Sequence, residues 1–172
     1  LNGLNGSLDF SRSQGSLTLK AKDGELNWGD RLNGALPVDT LAGTLAWQRD
    51  NNGWRLAAEQ LRWLGADAKI VIDGSLVLTP QTKPQADISA QVQAMDLPRI
   101  LAHIPRGPQN ESLPNAKLRD WLPKAIKGGK LLQGEVNLRG ALDDFPFAQG
   151  NGLFRVKAEL ENTRLDYKPG WP

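Results

Sequence analysis

The sequence offers few side chains of the kinds that act in catalysis. Its one histidine is His103, and a histidine at the end of a short helix is most often a surface or capping residue. Asp143 and Asp144 are adjacent acids of the type an acid–base pair needs, but acids placed directly before Phe145-Pro146-Phe147 are more often a solvated turn. The 172 residues contain no cysteine, which excludes a thiol nucleophile, a thiolate metal cluster and a disulfide framework.

Motifs of the common enzyme classes are missing from the sequence as well. It contains no glycine-rich phosphate loop, no GxSxG nucleophile elbow and no HExxH helix. Catalysis requires nucleophiles, bases or metal ligands to converge on one place, and this sequence has little that can converge. We therefore expect a protein that is not an enzyme and that uses neither a metal nor a cofactor.

The charge balance argues against nucleic acid as a partner. Lysine and arginine number 21 against 19 aspartates and glutamates, a net charge of +2, and the basic residues are scattered along the chain. No apolar run approaches the roughly 20 residues of a membrane-spanning helix, and no signal-peptide pattern is present. Ends at Leu1 and Pro172 indicate a segment of a larger protein, with any membrane anchor outside it.

One region has the spacing of an amphipathic helix. Gly128-Gly129 is a stop signal after it, and Pro123 leaves two starts open, one near Leu118 with a kink and one at Arg119 or Asp120. Its basic polar side fits an anionic membrane surface or, more commonly, a solvated face whose apolar stripe packs on the protein. The apolar residues at helical spacing are Leu118, Trp121, Leu122, Ala125 and Ile126.

The strongest pattern is a short phrase that restarts along the chain: glycine, any residue, an apolar residue, any residue, an apolar residue. It predicts strands with one apolar face, because successive side chains of a strand point to opposite sides. Leu17 and Leu19, for example, fall on one side and Ser16 and Thr18 on the other. The phrase begins at Gly6, Gly15, Gly24, Gly43, Gly74, Gly134 and Gly152.

Turn residues between these phrases predict antiparallel neighbours. Asp23-Gly24 and Asn52-Gly53 can adopt the positive φ values of tight hairpins. The alternation is longest over residues 66–78, which predicts a strand of about 40 Å at about 3.3 Å per residue. The sheet should therefore be tall.

The pattern divides the chain into three parts. Residues 1–95 are a meander of strands, residues 96–130 a helical and loop insertion, and residues 131–172 returning strands. The insertion begins with a short helix over 97–103, with Asp96 as N-cap and Pro98 in the first turn. Later strands are predicted over residues 85–94, 131–142, 152–160 and 163–167.

The apolar face of such a sheet needs an explanation. In a sandwich or a closed barrel it meets another protein face, and the strands by themselves favour this arrangement. A groove that leaves the face to a ligand is rarer, although exposed contiguous apolar surface usually marks a binding site. Trp28, Trp47, Trp54 and Trp63 are interpreted first as packing on this face, with an aromatic platform for sugars as the alternative.

The C-terminal part resembles one known family. The matching features are Leu113-Pro114, Trp121-Leu122, Gly128-Gly129, residues 134–140, 144–147 and 152–154, and the run from Leu165 to Pro172. Over residues 113–172 the chain is similar to the YhdP branch of the AsmA-like proteins. The earlier strands share with that family only the general pattern of repeated glycine-led strands. The family's proteins are large envelope proteins of Gram-negative bacteria, anchored in the inner membrane, which project an open, taco-shaped β groove through the periplasm.

The resemblance implies the fold and the function that we expect. The fold is mainly β, a long antiparallel meander forming an open groove, interrupted by an amphipathic helix and a short helical turn. The function is shielding of phospholipid acyl chains between the inner and outer membranes, with phospholipids as partners. The alternative is a non-transporting scaffold of the cell envelope whose apolar face is filled by its own chain.

Strand alternation then gives the residues that line the groove. The predicted lipid-contacting residues are Leu17, Leu19, Leu45, Ile70, Ile72, Leu76, Leu78, Ile88, Val92, Val136, Leu138, Phe154 and Val156. Leu118, Trp121, Leu122 and Ile126 of the amphipathic helix are predicted to line, gate or cap it.

Overall fold

The computed structural model describes residues 4–27, 35–94, 96–101, 116–145 and 147–166. They form eight strands, two short α-helices and a single 3₁₀ turn, Leu142–Asp144. The helices are α1 (Leu97–Leu101) and α2 (Ala116–Ala125). The strands are β1 (Leu4–Phe10), β2 (Gln14–Leu26), β3 (Leu36–Asp50), β4 (Gly53–Leu64), β5 (Ala68–Thr79), β6 (Thr82–Ala94), β7 (Ile126–Ala141) and β8 (Gly152–Leu165).

All eight strands belong to one antiparallel sheet in the order β1-β2-β3-β4-β5-β6-β7-β8. In the described part of the chain β1 pairs only with β2 and β8 only with β7, so the sheet is open at both edges. This confirms the predicted open meander and excludes the sandwich and the closed barrel for these residues. Strands of 12 to 16 residues, apart from the shorter β1, also confirm a tall sheet.

The hairpin between β3 and β4 forms where the turn chemistry predicts it. Asp50 pairs with Gly53, and its Oδ1 accepts hydrogen bonds from the backbone N of Asn52 at 2.7 Å and of Gly53 at 3.0 Å. The second predicted turn, Asp23-Gly24, is wrong. Asp23 has a φ of 51° but lies inside β2, where it is a local irregularity because pairing with β3 continues on both sides of it.

A β-bulge in β4 shifts the phase of its alternation. Ala58 pairs with Gly74, whereas Leu61 pairs with Ile72, so β4 contains one residue more than β5 over this interval. Gln60 has a φ of 46° and is the residue that the bulge accommodates. As a result Ala58 and Leu61 point to the same side, although they are an odd number of residues apart.

The helical insertion differs from its predicted bounds. Asp96 caps α1 as predicted, because the backbone N of Arg99 donates to its Oδ1 at 3.2 Å, but α1 ends at Leu101. His103 lies outside the described residues. The amphipathic helix α2 begins at Ala116 and ends at Ala125, so Ile126, predicted as its last apolar residue, instead begins β7. Residues 126–131 belong to β7 and not to the helix because this segment pairs with β8.

The C-terminal strands are also longer than predicted. Residues 152–165 form one strand rather than two, because Asn162, with a φ of 51°, is absorbed as an irregularity within β8. Tyr167, the predicted end of that region, lies outside the described residues. At the other end of β7, Leu142 belongs to the 3₁₀ turn and not to the strand.

The buried core lies at one end of the strands, where β3 begins and β4 ends. We call this end of the sheet the helix margin. The other end, which contains the hairpin turns at Asn51-Asn52 and Pro80-Gln81, is called the turn margin. The core at the helix margin consists of Val38, Trp63, Ala68 and Ala94, with Ile100 of α1 and neighbouring apolar side chains packed against it.

Candidate functional site

The register of the sheet places all the predicted groove residues on one side, which we call the apolar face. Residues directly opposite each other on paired strands point to the same side, and one continuous row of such pairs crosses the whole sheet. On each strand, a predicted residue either is the member of this row or lies an even number of residues away from that member. The row is Leu8, Leu17, Leu45, Ala58, Gly74, Ile88, Leu138 and Phe154.

The apolar face is continuous in the direction that crosses the strands. Eight strands spaced about 4.8 Å apart make this row about 34 Å long. A second row, from Phe10 through Trp47, Leu56 and Leu76 to Ala86, has the same direction and is also apolar throughout. An apolar track therefore runs from one sheet edge to the other.

The two ends of this track are open. On β1, Leu8 is 58% exposed, and on β8, Phe154 and Val156 are 45% and 56% exposed. On the central strands the lining residues Ile70, Ile72, Leu76 and Ile88 are half-buried. No second sheet lies on this face in the described part of the chain.

Helix α1 covers the apolar face at the helix margin. Its Leu97 is buried, and its Ile100 packs against the cluster that contains Trp63, alongside Ile70 and Leu131. An ion pair between Arg99 and Asp67, with Nη1 and Oδ1 2.9 Å apart, holds the helix to the loop before β5. The sequence signal for α1 was its Asp96 cap, but its place over the groove was not predicted.

The predicted gate residues lie beside α1. Helix α2 contacts both α1 and β7. Trp121 and Leu122 are half-buried and Ala125 is fully buried, whereas Ile126 lies in β7. Leu118 is part of α2. A gating or capping role for α2 stays a prediction.

At the turn margin, aromatic rings lie on glycines. The ring of Trp47 covers Gly15, since a Cβ added there would lie 2.4 Å from its Cζ2. On the same face, near the β8 edge, Phe147 covers Gly152 and Gly140 in the same way, and Phe145 packs edge-on against both Phe147 and Phe154. Glycine is required because any side chain would occupy the space of the ring. Trp28, the remaining tryptophan of the predicted set, lies outside the described residues.

The opposite side of the sheet is mostly polar and contains crossing ion pairs. Arg139 Nε lies 3.0 Å from Asp87 Oδ2, and Lys157 Nζ lies 4.0 Å from Glu135 Oε2. These pairs link β6, β7 and β8, which are neighbours in the sheet. The two sides of the sheet thus differ sharply in polarity, as the alternating sequence predicts.

The described residues contain neither a group of metal-ligating side chains nor a helix long and apolar enough to cross a membrane. A cavity of about 350 Å³ lies at the turn margin between β1 and β4, and residues of both sides of the sheet, among them Phe10, Trp47 and Arg55, line it. The dominant feature is therefore the apolar face itself.

Comparison with known proteins agrees with the resemblance found in the sequence. A family model described as "YhdP protein" matches residues 1–172, the whole chain. No curated protein and no solved structure matches it. Because the family model covers the entire sequence and the fold is the open antiparallel sheet expected of that family, the chain belongs to the YhdP family of AsmA-like proteins.

Proposed function

We propose that the chain is a periplasmic segment of a lipid-transfer path, in which the apolar face shields phospholipid acyl chains between the inner and outer membranes. The single observation that supports this most strongly is an apolar face that crosses eight strands without interruption and is open at both edges. The full-length protein would be anchored in the inner membrane and reach the outer membrane. Membership of an envelope protein family agrees with this location.

The energetics favour such a surface. Exposing an acyl chain to water costs about 0.8 kcal/mol per methylene, so a chain of roughly sixteen carbons cannot cross the periplasm unshielded. Transfer from a bilayer to a leucine- and isoleucine-lined face exchanges one apolar surrounding for another, so the net change can be small. The few polar groups on this face leave few sites at which a moving lipid would be trapped. The proposed role is passive, with no catalytic step.

The direction of the track follows from the sheet. Acyl chains would move across the strands, from the β1 edge towards the β8 edge or back, because the apolar face is open at these two edges. Along the strands the path is interrupted, since α1 and the core cluster occupy the helix margin. The register brings the predicted lining residues to one face together with others that were not predicted, such as Leu8, Leu56 and Leu61. Contact of these residues with lipid stays a prediction.

A photo-crosslinker at Leu76, with Ser75 as the control, tests this proposal. The two residues are neighbours on β5 and both are half-buried, but Leu76 pairs with Leu56 on the apolar face and Ser75 with Ala57 on the polar side. We expect phospholipid adducts at Leu76 and not at Ser75 in protein purified without detergent, detected by mass spectrometry. Absence of lipid at both positions would favour the envelope scaffold instead.

Charge placed on the face gives an independent test. Ile72→Asp is expected to block lipid passage while the sheet remains folded, because a carboxylate in an open groove can still reach water. Circular dichroism checks the fold. Unfolding of this variant would contradict an open groove, since it would mean that Ile72 lies in a closed core.

A further inference from the structure

We infer that Arg49, stacked on Trp54 at the turn margin, is a contact site for the phosphate of a lipid headgroup. This inference rests on the proposed function, because it assigns the position of the headgroup of a lipid whose acyl chains lie on the apolar face. It identifies the side of the sheet from which headgroups protrude and the chemical group that is recognised there.

The position of Arg49 is exceptional. It pairs with Trp54, two residues beyond the pair of Trp47 and Leu56, so it points to the apolar face. Among the paired strand residues that the structure describes at the turn margin, Arg49 is the one charged residue in register with that face. A cation at the rim of an otherwise apolar surface is the arrangement that an amphipathic, anionic ligand requires.

The guanidinium of Arg49 is held in place but not neutralised. Its Cζ lies 5.5 Å from the centroid of the Trp54 ring, a cation–π contact that restricts its orientation. No carboxylate of the described residues forms an ion pair with it. The neighbouring acid, Asp50, has an oxygen engaged by the turn amides of Asn52 and Gly53.

The backbone of Arg49 is fixed as well. Its N donates a hydrogen bond of 2.6 Å to the carbonyl O of Ser13, in the loop that connects β1 and β2. The arginine is therefore anchored to two hairpins at once. Because a guanidinium presents two parallel donors to phosphate, a pre-oriented arginine loses less entropy on binding than a free one.

The geometry fits a lipid whose tails and phosphate are bound together. Trp47, Leu56 and Leu76 lie about 6.6 Å along their strands from the level of Arg49, which places an apolar row directly beneath the cation. The opposite margin cannot serve in this way, because α1 and the buried cluster around Trp63 cover it. Headgroups would thus protrude at the turn margin.

Binding of two lipids with identical tails to the full chain tests the inference. Dioctanoyl phosphatidylglycerol has the phosphate and dioctanoylglycerol lacks it, and both can be titrated calorimetrically. We expect Arg49→Gln to weaken phosphatidylglycerol binding about tenfold, the loss of one charge-assisted contact, and to leave dioctanoylglycerol binding unchanged. Arg49→Lys should recover only part of the affinity, because lysine lacks the two-donor geometry.

Arg55→Gln is the matched control. Arg55 lies in the same hairpin, but it pairs with Gln48 on the polar side. Its substitution removes the same charge as Arg49→Gln and should change neither affinity. If both lipids bind and phosphatidylglycerol binds the natural chain and Arg49→Gln equally well, the Arg49 site is overturned and the groove proposal stands. Failure of both lipids to bind the natural chain would overturn the groove as well. If inorganic phosphate competes with phosphatidylglycerol, and this competition requires Arg49 but not the acyl tails, Arg49 belongs to a free-phosphate site instead.

Discussion

The carboxylate of Asp73 on β5 holds the bulge of β4 in place through Gln60. Its Oδ1 accepts the backbone N–H of Gln60 and its Oδ2 accepts the side-chain Nε2, both at 2.8 Å. The bulged residue would otherwise lack its ladder partner, since the pairing of β4 with β5 breaks between Ala58 and Leu61. A polar residue on one side of the sheet thus determines how the apolar residues on the other side line up.

Asp73→Ala should destabilise the sheet by about 1–2 kcal/mol, because two hydrogen bonds to a charged group are lost at a solvent-accessible site. Urea denaturation followed by circular dichroism measures the change. Asp87→Ala is the control, since it removes a surface ion pair with Arg139 and should cost less than about 1 kcal/mol. Equal losses in the two variants would argue against the bulge-holding role.

Deletion of Gln60 should be tolerated. Removing this residue makes the pairing of β4 with β3 and β5 regular and keeps Leu61 and Trp63 on the apolar face. Deletion of Val71 from β5 should be far more damaging, because β5 has no extra residue there and half of its side chains would change sides. Thermal unfolding compares the two deletions, and a folded Val71 deletion beside an unfolded Gln60 deletion would contradict the assigned register.

Gly152→Ala should destabilise the protein by about 1–3 kcal/mol, because the new methyl group would lie 2.4 Å from Cδ1 of buried Phe147 and 2.7 Å from the backbone O of Arg139. Gly128→Ala is the matched control, since nothing lies within 4 Å of an added Cβ there. The loss should become smaller when Phe147 is also replaced by alanine. Additive effects in this double-mutant cycle would show that the ring does not require the glycine.

Leu97→Ala should cost about 2–4 kcal/mol, because Leu97 of α1 is only 5% exposed and its removal leaves a cavity at the helix margin. Leu132→Ala removes the same atoms from a site that is 42% exposed and should cost less than about 1 kcal/mol. Chemical denaturation gives both values. A small loss for Leu97→Ala would mean that α1 is not packed on the sheet.

The pKa of Lys83 should lie above its ordinary value of 10.5, because its amine hydrogen-bonds to Asp144 and is attracted by that charge. A raised pKa in the folded state means that the stabilisation is complete below about pH 10.5 and is lost as the pH rises through the folded pKa. An NMR titration of the lysine side chain measures it. Asp144→Asn should lower this pKa much more than Asp143→Asn, and equal effects would contradict the pairing.

The elements that depend on local chemistry could be predicted from the sequence. Alternation of apolar and polar residues identified the strands and the side on which Leu17, Ile72 and Val136 lie, because the period of two is fixed by the strand backbone. The Asp50 turn and the Asp96 cap were also predictable from local sequence, because both depend on hydrogen bonds between residues two or three apart. Local patterns could not fix element ends, as the misplaced Ile126 shows.

Features that depend on contacts between residues distant in the sequence could not be predicted from local patterns. The Gln60 bulge reverses the alternation and is fixed by Asp73, 13 residues away, while α1 reaches the apolar face through partners such as Trp63 and Asp67. Arg49 joins that face through its strand register and its ring contact with Trp54. An apolar pattern is the same whether its face meets another sheet or stays open, so the choice of a groove required the whole sheet.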